Sequence, residues 1–426
     1  MPDIAPHPFF SDLNFPSMNE KTELVLIKIS GNDKPGVTAT LTEVLANHDA
    51  FILDIGQADI HNTLSLGILV KTTSRKFSEI MKELLFKSYE MGVNIKFQPI
   101  TEEDYNKWVE SQGKNRYIIT VIGRELTARQ LSEVAKAITA QGLNIDMIQR
   151  LTGRIPLDEN ARQSRSCIEF SVRGTPANRE AMQARFLELS KELSIDLSFQ
   201  LDDMYRRSRR LICFDMDSTL IETEVIDELA DKAGVGEQVR AITESAMRGE
   251  IDFTESFIQR VSLLKGLDES VMKEIAESLP ISEGLDRLMR VLKHVGFKVA
   301  ILSGGFTYFG NYLKDKYGID YVFANELEII DGKLTGKHLG EIVDGKRKAE
   351  LLKLLAQIEQ VDIAQTIAVG DGANDLPMLN TAGLGIAYHA KPKVKENAKQ
   401  SISTIGIDGV LYFLGFKDSY TEGMQF

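Results

Sequence analysis

Reactive side chains follow three short apolar segments in the second half of this chain of 426 residues. In chain order the three motifs are Phe214-Asp215-Met216-Asp217-Ser218-Thr219, Leu302-Ser303-Gly304-Gly305 and Gly370-Asp371-Gly372-Ala373-Asn374-Asp375. Each apolar segment is typical of a strand in a parallel sheet, and the carboxyl ends of such strands meet at one edge, where ligands bind. Lys346 precedes a predicted helix and can reach the same edge.

This set of residues predicts chemistry that depends on a bound cation. Each motif alone is weak, because an acidic residue after a strand is often a helix cap and a Gly-Gly pair is often a turn. Four carboxylates gathered at one point repel each other unless a cation is present. Since the ligands are hard oxygens, with few nitrogens or sulfurs among them, we expect Mg²⁺.

The elements around these motifs predict a parallel sheet with helices on both faces. The predicted strands are Leu211–Phe214, Val299–Leu302, Thr366–Val369 and Leu384–Ala387. Between the first two lies a helix-rich insertion from about Val225 to Pro280, which is too long for a crossover and is interpreted as a small helical cap.

The first half of the chain contains an internal duplication. In each copy, strand-like and helix-like segments follow in the order β-α-β-β-α-β, which predicts two antiparallel sheets backed by helices. We place the domains at 21–100, 115–202 and 205–416, with the cap at about 225–280 and a flexible arm at 1–20. The arginines of Tyr205-Arg206-Arg207-Ser208-Arg209-Arg210 could contact an anion or RNA, but the acidic surroundings favour a solvated linker.

Composition narrows the class of protein. The formal net charge of −12 argues against general binding to nucleic acid. Cys167 and Cys213 lie in apolar segments and are expected to be buried thiols. No signal peptide and no stretch of about 18 apolar residues is recognisable, so we expect a cytoplasmic protein without a membrane segment.

The order of DxDST, SGG, a lysine and GDGAND resembles the haloacid dehalogenase superfamily of phosphatases, over roughly residues 209–415. The resemblance implies that Asp215 attacks phosphorus and forms an aspartyl-phosphate, while Asp217 acts as general acid and base. It implies that Mg²⁺ is held by Asp215, the backbone carbonyl of Asp217 and Asp371, with Asp375 and Asn374 nearby. It also implies that the phosphoryl oxygens bind the three residues Ser303, Gly304 and Lys346.

Within the superfamily, the stretch around Arg260 is similar to the phosphoserine phosphatases. That resemblance implies that Glu224 binds the ammonium of O-phospho-L-serine and Arg260 its carboxylate. Met247 and Phe253 resemble apolar cap residues that close over the substrate. The expected activity is hydrolysis of phosphoserine to L-serine and phosphate, the last step of serine biosynthesis.

The duplicated segments look like two ACT domains, which are amino-acid-sensing modules. In the first copy Asn32, Asp33, Pro35 and Gly36 match the loop where ACT domains bind amino acids, at a helix N-terminus. The second copy has Gly123-Arg124-Glu125-Leu126-Thr127 at that place and lacks the Asp-x-Pro-Gly pattern. The module is expected to bind serine and to form a homodimer, and a scaffold that binds nothing is the alternative.

Two other functions are compatible with parts of the sequence. A phosphotransferase would pass the aspartyl-phosphate to another amino alcohol and needs the same Asp215 and Asp217. A pseudo-enzyme that only senses an amino acid is disfavoured, because nucleophile, acid and lysine are all present. The fold class expected is therefore α/β, a Rossmann-like parallel-sheet haloacid dehalogenase domain with a helical cap, preceded by two α+β ferredoxin-like ACT domains.

Overall fold

The computed structural model describes residues 21–113, 115–154 and 165–421. The predicted arm at 1–20 lies outside these described residues. The described chain forms two compact units, residues 21–113 and residues 115–421. Among the described residues, no helix is both long enough and apolar enough to span a membrane.

The first unit contains the first copy of the duplicated fold. Its elements are β1 (Thr22–Asn32), α1 (Val37–Asn47), β2 (Phe51–Ile60), β3 (Thr63–Thr73), α2 (Ser74–Met91), β4 (Val93–Ile100) and α3 (Glu102–Glu110). The four strands form an antiparallel sheet in the order β2-β3-β1-β4. His61 and Asn62, both with positive φ, form the tight turn between β2 and β3, as expected of a two-residue hairpin.

The second unit begins with the second copy. Its elements are β5 (Arg116–Gly123), α4 (Ala128–Ala140), β6 (Asn144–Arg150), β7 (Ser166–Arg173), α5 (Arg179–Leu193) and β8 (Asp196–Leu201). The strand order β6-β7-β5-β8 repeats that of the first copy, so the predicted duplication is confirmed. Thr127 and Gln130 form a capping box at the start of α4, which satisfies two otherwise unpaired backbone N–H groups.

The rest of the second unit is built around a seven-stranded sheet in the order β12-β11-β10-β9-β13-β14-β15. The strands are β9 (Leu211–Phe214), β10 (Lys298–Phe306), β11 (Tyr321–Ile330), β12 (Lys333–Leu339), β13 (Thr366–Gly370), β14 (Leu384–Tyr388) and β15 (Gln400–Ile402). All neighbours are parallel except β11 and β12. The four predicted strands are all present, whereas β11, β12 and β15 were not predicted.

Helices cover this sheet and form the insertion after β9. They are α6 (Met204–Arg207), α7 (Val225–Lys232), α8 (Gly236–Met247), α9 (Phe253–Ser262), α10 (Ser270–Ser278), α11 (Leu285–His294), α12 (Thr307–Tyr317), α13 (Gly345–Ile358), α14 (Leu376–Thr381), α15 (Pro392–Asn397), α16 (Val410–Phe413) and α17 (Asp418–Thr421). The predicted helical cap corresponds to α7–α10. The β11–β12 hairpin, which the sequence analysis missed, lies beside this cap.

The cap is attached to the hairpin along one edge. The backbone N–H of Gly266 donates to the carbonyl of Leu334 at 2.8 Å, and that of Leu334 donates to Leu267 at 2.9 Å. The N–H of Glu269 also donates to the carbonyl of Gly332 at 2.9 Å. The segment between α9 and α10 is therefore joined to the sheet by strand-like hydrogen bonds.

The second copy shares a hydrophobic core with the seven-stranded sheet. Ile122, Leu151 and Cys167 belong to the same cluster of buried side chains as Ile212 and Phe214. Cys167 and Cys213 are both free thiols and buried, as predicted. The second copy is thus packed into the unit that carries the reactive motifs.

The arginine-rich segment at this junction is not a solvated linker, so that interpretation is wrong for two of its members. Arg206 and Arg209 are buried. A guanidinium nitrogen of Arg206 lies 2.6 Å from Oε2 of the buried Glu169 on β7. Because a buried charge requires a partner, this ion pair fixes α6 against the second copy, which the local composition could not reveal.

Candidate active site

The reactive motifs meet at the carboxyl ends of β9, β10 and β13, as predicted. Phe214 at the end of β9 is in register with Ile301 on β10 and with Val369 on β13. The backbone N–H of Asp215 donates to the carbonyl of Val369 at 2.9 Å. The three motifs therefore lie side by side at this edge of the sheet.

Three carboxylates form the centre of the site. Asp215, Asp371 and Asp375 each offer an oxygen, and these oxygens all lie within 4.8 Å of one another. Burial, with the charges of Asp215 and Asp375, raises the pKa of Asp371 to about 8. Burial and the charge of Asp215 likewise raise the pKa of Asp375 to about 7. Negative charge is thus concentrated here beyond what the protein neutralises.

One lysine lies inside this cluster, and it is Lys348. Its Nζ is 2.9 Å from Oδ1 of Asp215 and 2.7 Å from Oδ1 of Asp375. Lys348 is completely buried, and the two carboxylates raise the pKa of its ammonium despite the opposing effect of burial. The residue is therefore a fixed positive charge beside the predicted nucleophile.

The placement of Lys346 in the site is wrong. Its side chain is 86% exposed, and its Nζ lies 3.9 Å from Glu350 of the same helix. Asp344 caps α13, and residues two positions apart on a helix point to opposite sides. Since Lys348 faces the carboxylates, Lys346 must face solvent.

Asp217 is buried two residues after Asp215. Its Oδ1 accepts from the backbone N–H of Val225 at 3.4 Å. Burial raises the pKa of Asp217 well above its usual value, and the charges of Glu224 and Asp215 add to the effect. A carboxyl with a raised pKa keeps its proton and can act as a general acid.

The last part of β10, after Leu302, is an irregular loop-like segment that Asp217 approaches closely. The N–H of Gly305 donates to Oγ of the buried Ser303 at 3.0 Å. A Cβ on Gly305 would lie 2.4 Å from Oδ2 of Asp217, so the absence of a side chain at Gly305 lets this carboxylate approach closely. Asn325 holds the loop from behind, because its amide donates to the carbonyl of Gly304 at 2.8 Å.

Glu224 and Arg260 face the same cleft. Oγ of Ser218, a residue with φ of 56°, donates to Glu224 at 2.8 Å. Solvent reaches Glu224, yet desolvation by the surrounding protein raises the pKa of its carboxyl. Arg260 on α9 is half-buried and contacts Ser256 and Thr243 at 3.3 and 3.5 Å.

Opposite charges therefore come together at the cap side of the cleft. Burial lowers the pKa of Arg260, and the charges of Glu224, Asp227 and Asp217 oppose that shift. A ligand with one positive and one negative group finds complementary charges in this arrangement.

The other two cap residues differ in position. Phe253 packs over Gly304, because a Cβ on that glycine would lie 2.9 Å from its ring. Met247 is 62% exposed, and its sulfur is 3.6 Å from Nζ of Lys391. Phe253 thus covers the reactive centre, whereas Met247 lies at the outer margin of the cap.

Asn374, in the last motif, packs against both Gly372 of that motif and Gly345 at the start of α13. A Cβ on Gly372 would be 2.2 Å from its Oδ1, and a Cβ on Gly345 would be 2.4 Å from its carbonyl oxygen. The two glycines allow this close packing, which places Lys348 next to Asp375.

Comparison with known proteins agrees with this geometry. The model of the ACT domain family matches residues 23–98 and a second ACT domain model matches 116–200. The model of the haloacid dehalogenase-like hydrolases matches residues 212–380. A phosphoserine phosphatase from Streptomyces coelicolor is 38% identical over 406 residues, which is 95% of this chain and 95% of that protein. The chain belongs to the phosphoserine phosphatase family.

Two further phosphoserine phosphatases are similar to this chain, one over almost its whole length and one over about three quarters of it. Phosphoserine phosphatase SerB2 from Mycobacterium tuberculosis is 38% identical over 398 residues, 92% of this chain and 93% of that protein. Among solved structures, the unliganded probable phosphoserine phosphatase from Vibrio cholerae has a TM-score of 0.55 at 36% identity. That similarity covers 72% of this chain and 89% of the solved one.

Members of the haloacid dehalogenase-like hydrolases use a metal ion, and the donor set of this chain fits one. Asp215, Asp371 and Asp375 supply only carboxylate oxygens, the ligand type that divalent cations such as Mg²⁺ prefer. Burial and the charge of Asp215 raise the pKa values of Asp371 and Asp375, and a bound cation would relieve the repulsion between these carboxylates. The sequence analysis put Asp375 near the metal rather than among its ligands.

Three contributors to this phosphoserine phosphatase site were missed from the sequence. Lys348 could have been found, since it falls on the stripe of buried residues that includes Leu351, Leu352 and Leu355, and a lysine on an apolar stripe needs a partner. Asn325 supports the Gly304 loop, and Oγ1 of Thr219 donates to Oδ1 of Asp371 at 3.2 Å. Asn325 has no local sequence signal, whereas Thr219 is the last residue of the first motif but was given no role.

Proposed function

We propose that this chain hydrolyses O-phospho-L-serine to L-serine and phosphate through an aspartyl-phosphate on Asp215. The observation that carries the proposal is the pair of carboxyl groups two residues apart, Asp215 beside the buried Lys348 and Asp217 buried where its pKa is raised. Membership of the phosphoserine phosphatase family supports the choice of substrate.

In the first half-reaction Asp215 is the nucleophile. Its Oδ1 accepts from the N–H of Met216 at 2.7 Å and from Lys348 at 2.9 Å, which leaves Oδ2 available to attack phosphorus. As the new O–P bond forms, the bond between phosphorus and the serine oxygen breaks, and Asp217 gives its proton to that oxygen. L-Serine leaves and the phosphoryl group remains on Asp215.

In the second half-reaction Asp217 acts as a base. Its carboxylate takes a proton from a water molecule, which attacks phosphorus and breaks the bond to Asp215. The products are phosphate and the free Asp215 carboxylate. The raised pKa of Asp217 suits both roles, because the group must hold a proton in one step and recover it in the next.

The phosphoryl oxygens are bound by Ser303, the amide of Gly304 and Lys348. Lys348 thus takes the role that the sequence analysis gave to Lys346. When bound, Mg²⁺ would be held by Asp215, Asp371, Asp375 and the carbonyl of Asp217, and would neutralise charge on the phosphoryl group. Asn374 supports this side of the site.

Specificity for phosphoserine rests on Glu224 and Arg260. Glu224 binds the ammonium group, and Arg260 binds the carboxylate with two parallel hydrogen bonds. Phe253 excludes water from above the reacting atoms, and Met247 closes the outer margin of the cap.

We further propose that L-serine regulates this cytoplasmic enzyme through its first ACT domain and that the chain acts as a homodimer. Asn32 and Asp33 are exposed at the end of β1. Gly36, with φ of 94°, starts α1, and the space beside it is open. Together with Pro35, these residues leave free N–H groups at the helix N-terminus for a carboxylate.

The catalytic proposal is tested by phosphate release from a panel of phosphorylated small molecules, with Mg²⁺ or with a chelator. We expect strong preference for O-phospho-L-serine, loss of activity with the chelator, and no activity in Asp215→Asn. Equal activity of wild type and Asp215→Asn would overturn the mechanism, and no preference for phosphoserine would overturn the substrate assignment.

The two lysines of α13 provide a matched control in the same assay. Lys348→Ala is expected to lower kcat by about 10²- to 10³-fold, because it removes the charge beside Asp215. Lys346→Ala should retain activity close to wild type. The reverse result would show that the structural assignment of the lysine is wrong.

A further inference from the structure

The loop between β5 and α4 of the second ACT domain corresponds in position to the proposed serine-binding loop of the first. It contains Arg124, whose guanidinium contacts another segment of this chain. Its two terminal guanidinium nitrogens donate to the two carboxylate oxygens of Glu283, at 2.7 and 2.5 Å. The loop therefore makes a bidentate contact with the segment that precedes α11.

The segment around Glu283 runs beside the loop that carries the nucleophile. Ile281 and Ile221 form an antiparallel bridge, and the N–H of Glu222 donates to the carbonyl of Pro280 at 2.9 Å. The N–H of Ser282 donates to the carbonyl of Leu220 at 3.1 Å. These backbone hydrogen bonds fix the two segments to each other.

The closest link to the reacting groups is made by Ser282. Its buried hydroxyl donates to the carbonyl of Thr219 at 2.7 Å. The side chain of Thr219, which is fully buried, donates in turn to the carboxylate of Asp371. Ser282 thus restrains the turn that begins at Asp217 and ends in contact with the carboxylate cluster.

We propose that Arg124 of the second ACT domain is a positioning residue for phosphoryl transfer, acting through Glu283 and Ser282 on the nucleophile loop. In this proposal the loop that could have bound an amino acid instead holds the catalytic turn in place. The inference rests on the proposed phosphatase function of the same site.

The position of Glu283 explains how an exposed ion pair can transmit an effect. The backbone carbonyl of Glu283 accepts from the N–H of Ile407 at 2.8 Å, and a Cβ on the following Gly284 would lie 2.4 Å from Oδ1 of Asp408. The segment is therefore fixed on one side by the sheet domain, and Arg124 restrains its side chain on the other.

The test compares Arg124→Ala with Lys191→Ala in the full-length protein. Lys191 of the second ACT domain pairs with Glu396 at 3.0 Å, and both pairs are about half exposed. We expect Arg124→Ala to lower kcat for phosphoserine about 5-fold with little change in KM, and Lys191→Ala to match wild type. Equal kcat in both variants would overturn the proposal.

A double-mutant cycle separates positioning from general destabilisation. Glu283→Ala should lower kcat as much as Arg124→Ala, and the double variant should be no worse than either. Additive losses would overturn the proposal, because the two residues would then act independently. Ser282→Ala should lower kcat by about 10-fold with KM again little changed, and unchanged kcat in that variant would also overturn it.

These outcomes are distinct from failure of the proposed function. If the wild-type protein released no phosphate from phosphoserine, the function itself would be wrong. If wild type is active and Arg124→Ala is equally active, only the positioning role fails.

Discussion

The two ACT domains have the same strand order, but the outer face of the sheet is exposed in the first and buried in the second. On the edge strand β4 of the first, the outward residues Asn94, Lys96 and Gln98 are exposed. On the corresponding strand β8 of the second, the outward residues are also polar, yet all are buried; they are Asp196, Ser198 and Gln200.

The difference comes from what covers β8. Asp196 accepts hydrogen bonds from the backbone N–H groups of Ser403 and Thr404 at 2.9 and 2.8 Å. The amide of Gln200 donates to the carbonyl of Phe413 at 3.0 Å. The same polar pattern thus faces solvent in one copy and hydrogen-bonds the catalytic domain in the other. Duplication preserved the fold, while the outer face of the second copy became an internal surface of the enzyme.

The difference between the two outer faces can be tested by exchanging corresponding residues on the central strands β1 and β5. We expect this exchange to give the largest change in the free energy of unfolding. Thr120 on β5 is fully buried, whereas Lys28 at the same place on β1 is exposed. Thr120→Lys should lower the free energy of unfolding by about 3–5 kcal/mol, because an unpaired charge is buried. Urea unfolding measures the change.

The reverse substitution is the control. Lys28→Thr should change the free energy of unfolding by no more than about 0.5 kcal/mol. A similar loss in both variants would mean that the outer faces of the two sheets do not differ as described.

A smaller effect is expected on the binding of L-serine, which we propose for the loop of the first ACT domain and not for that of the second. Asp33→Ala is expected to weaken binding of L-serine to the first ACT domain about 10-fold, because a carboxylate that bonds an ammonium group is lost. Isothermal titration of the full-length protein measures it, with Arg260→Ala in the background to remove serine binding at the active site.

The matched control lies in the second loop. Glu125→Ala, also at an exposed position, should leave serine affinity unchanged. If serine binds with equal affinity to all these variants, or does not bind, the sensing proposal for the first ACT domain is wrong.

The smallest effect concerns pH. Burial raises the pKa of Asp196 above its ordinary value, despite hydrogen bonds from Thr404 and Ser403. The folded state therefore keeps a proton that the unfolded state loses near pH 4. The free energy of unfolding contributed by this group is largest below that pH and falls as pH rises through the folded-state pKa.

Asp196→Asn should remove this contribution, so that the free energy of unfolding falls less steeply above pH 4 than in wild type. Urea unfolding at a series of pH values measures the slope. Asp202→Asn, just after β8, is the control, and an equal change of slope in both variants would contradict the assignment to Asp196.

Much of the fold was predictable from the sequence because its signals are local. Alternating apolar residues predicted the strands of both ACT domains, and the short apolar segments before Asp215, Ser303 and Asp371 predicted the parallel sheet. The hairpin β11–β12 was missed, since its exposed residues interrupt the apolar pattern.

The site was predictable as far as its motifs extend. Asp215, Asp217 and Asp371 lie where the motifs placed them. The prediction of Lys346 was wrong, because the sequence analysis did not consider which face of the helix that follows is buried. The burial of Arg206 and of Asp196 could not be predicted, because it depends on contacts with segments far along the chain.

The attachment of the cap to the hairpin β11–β12 has a consequence for the order of events in turnover. A cap fixed along the edge at Gly266 and Leu267 would have to open at the opposite side, where the contact between Met247 and Lys391 would break. Phosphoserine, serine and phosphate would then enter and leave through the same opening. A serine molecule that dissociates slowly would block the binding of the next substrate. Inhibition by the product would therefore arise at the active site itself, separately from any effect of serine on the first ACT domain.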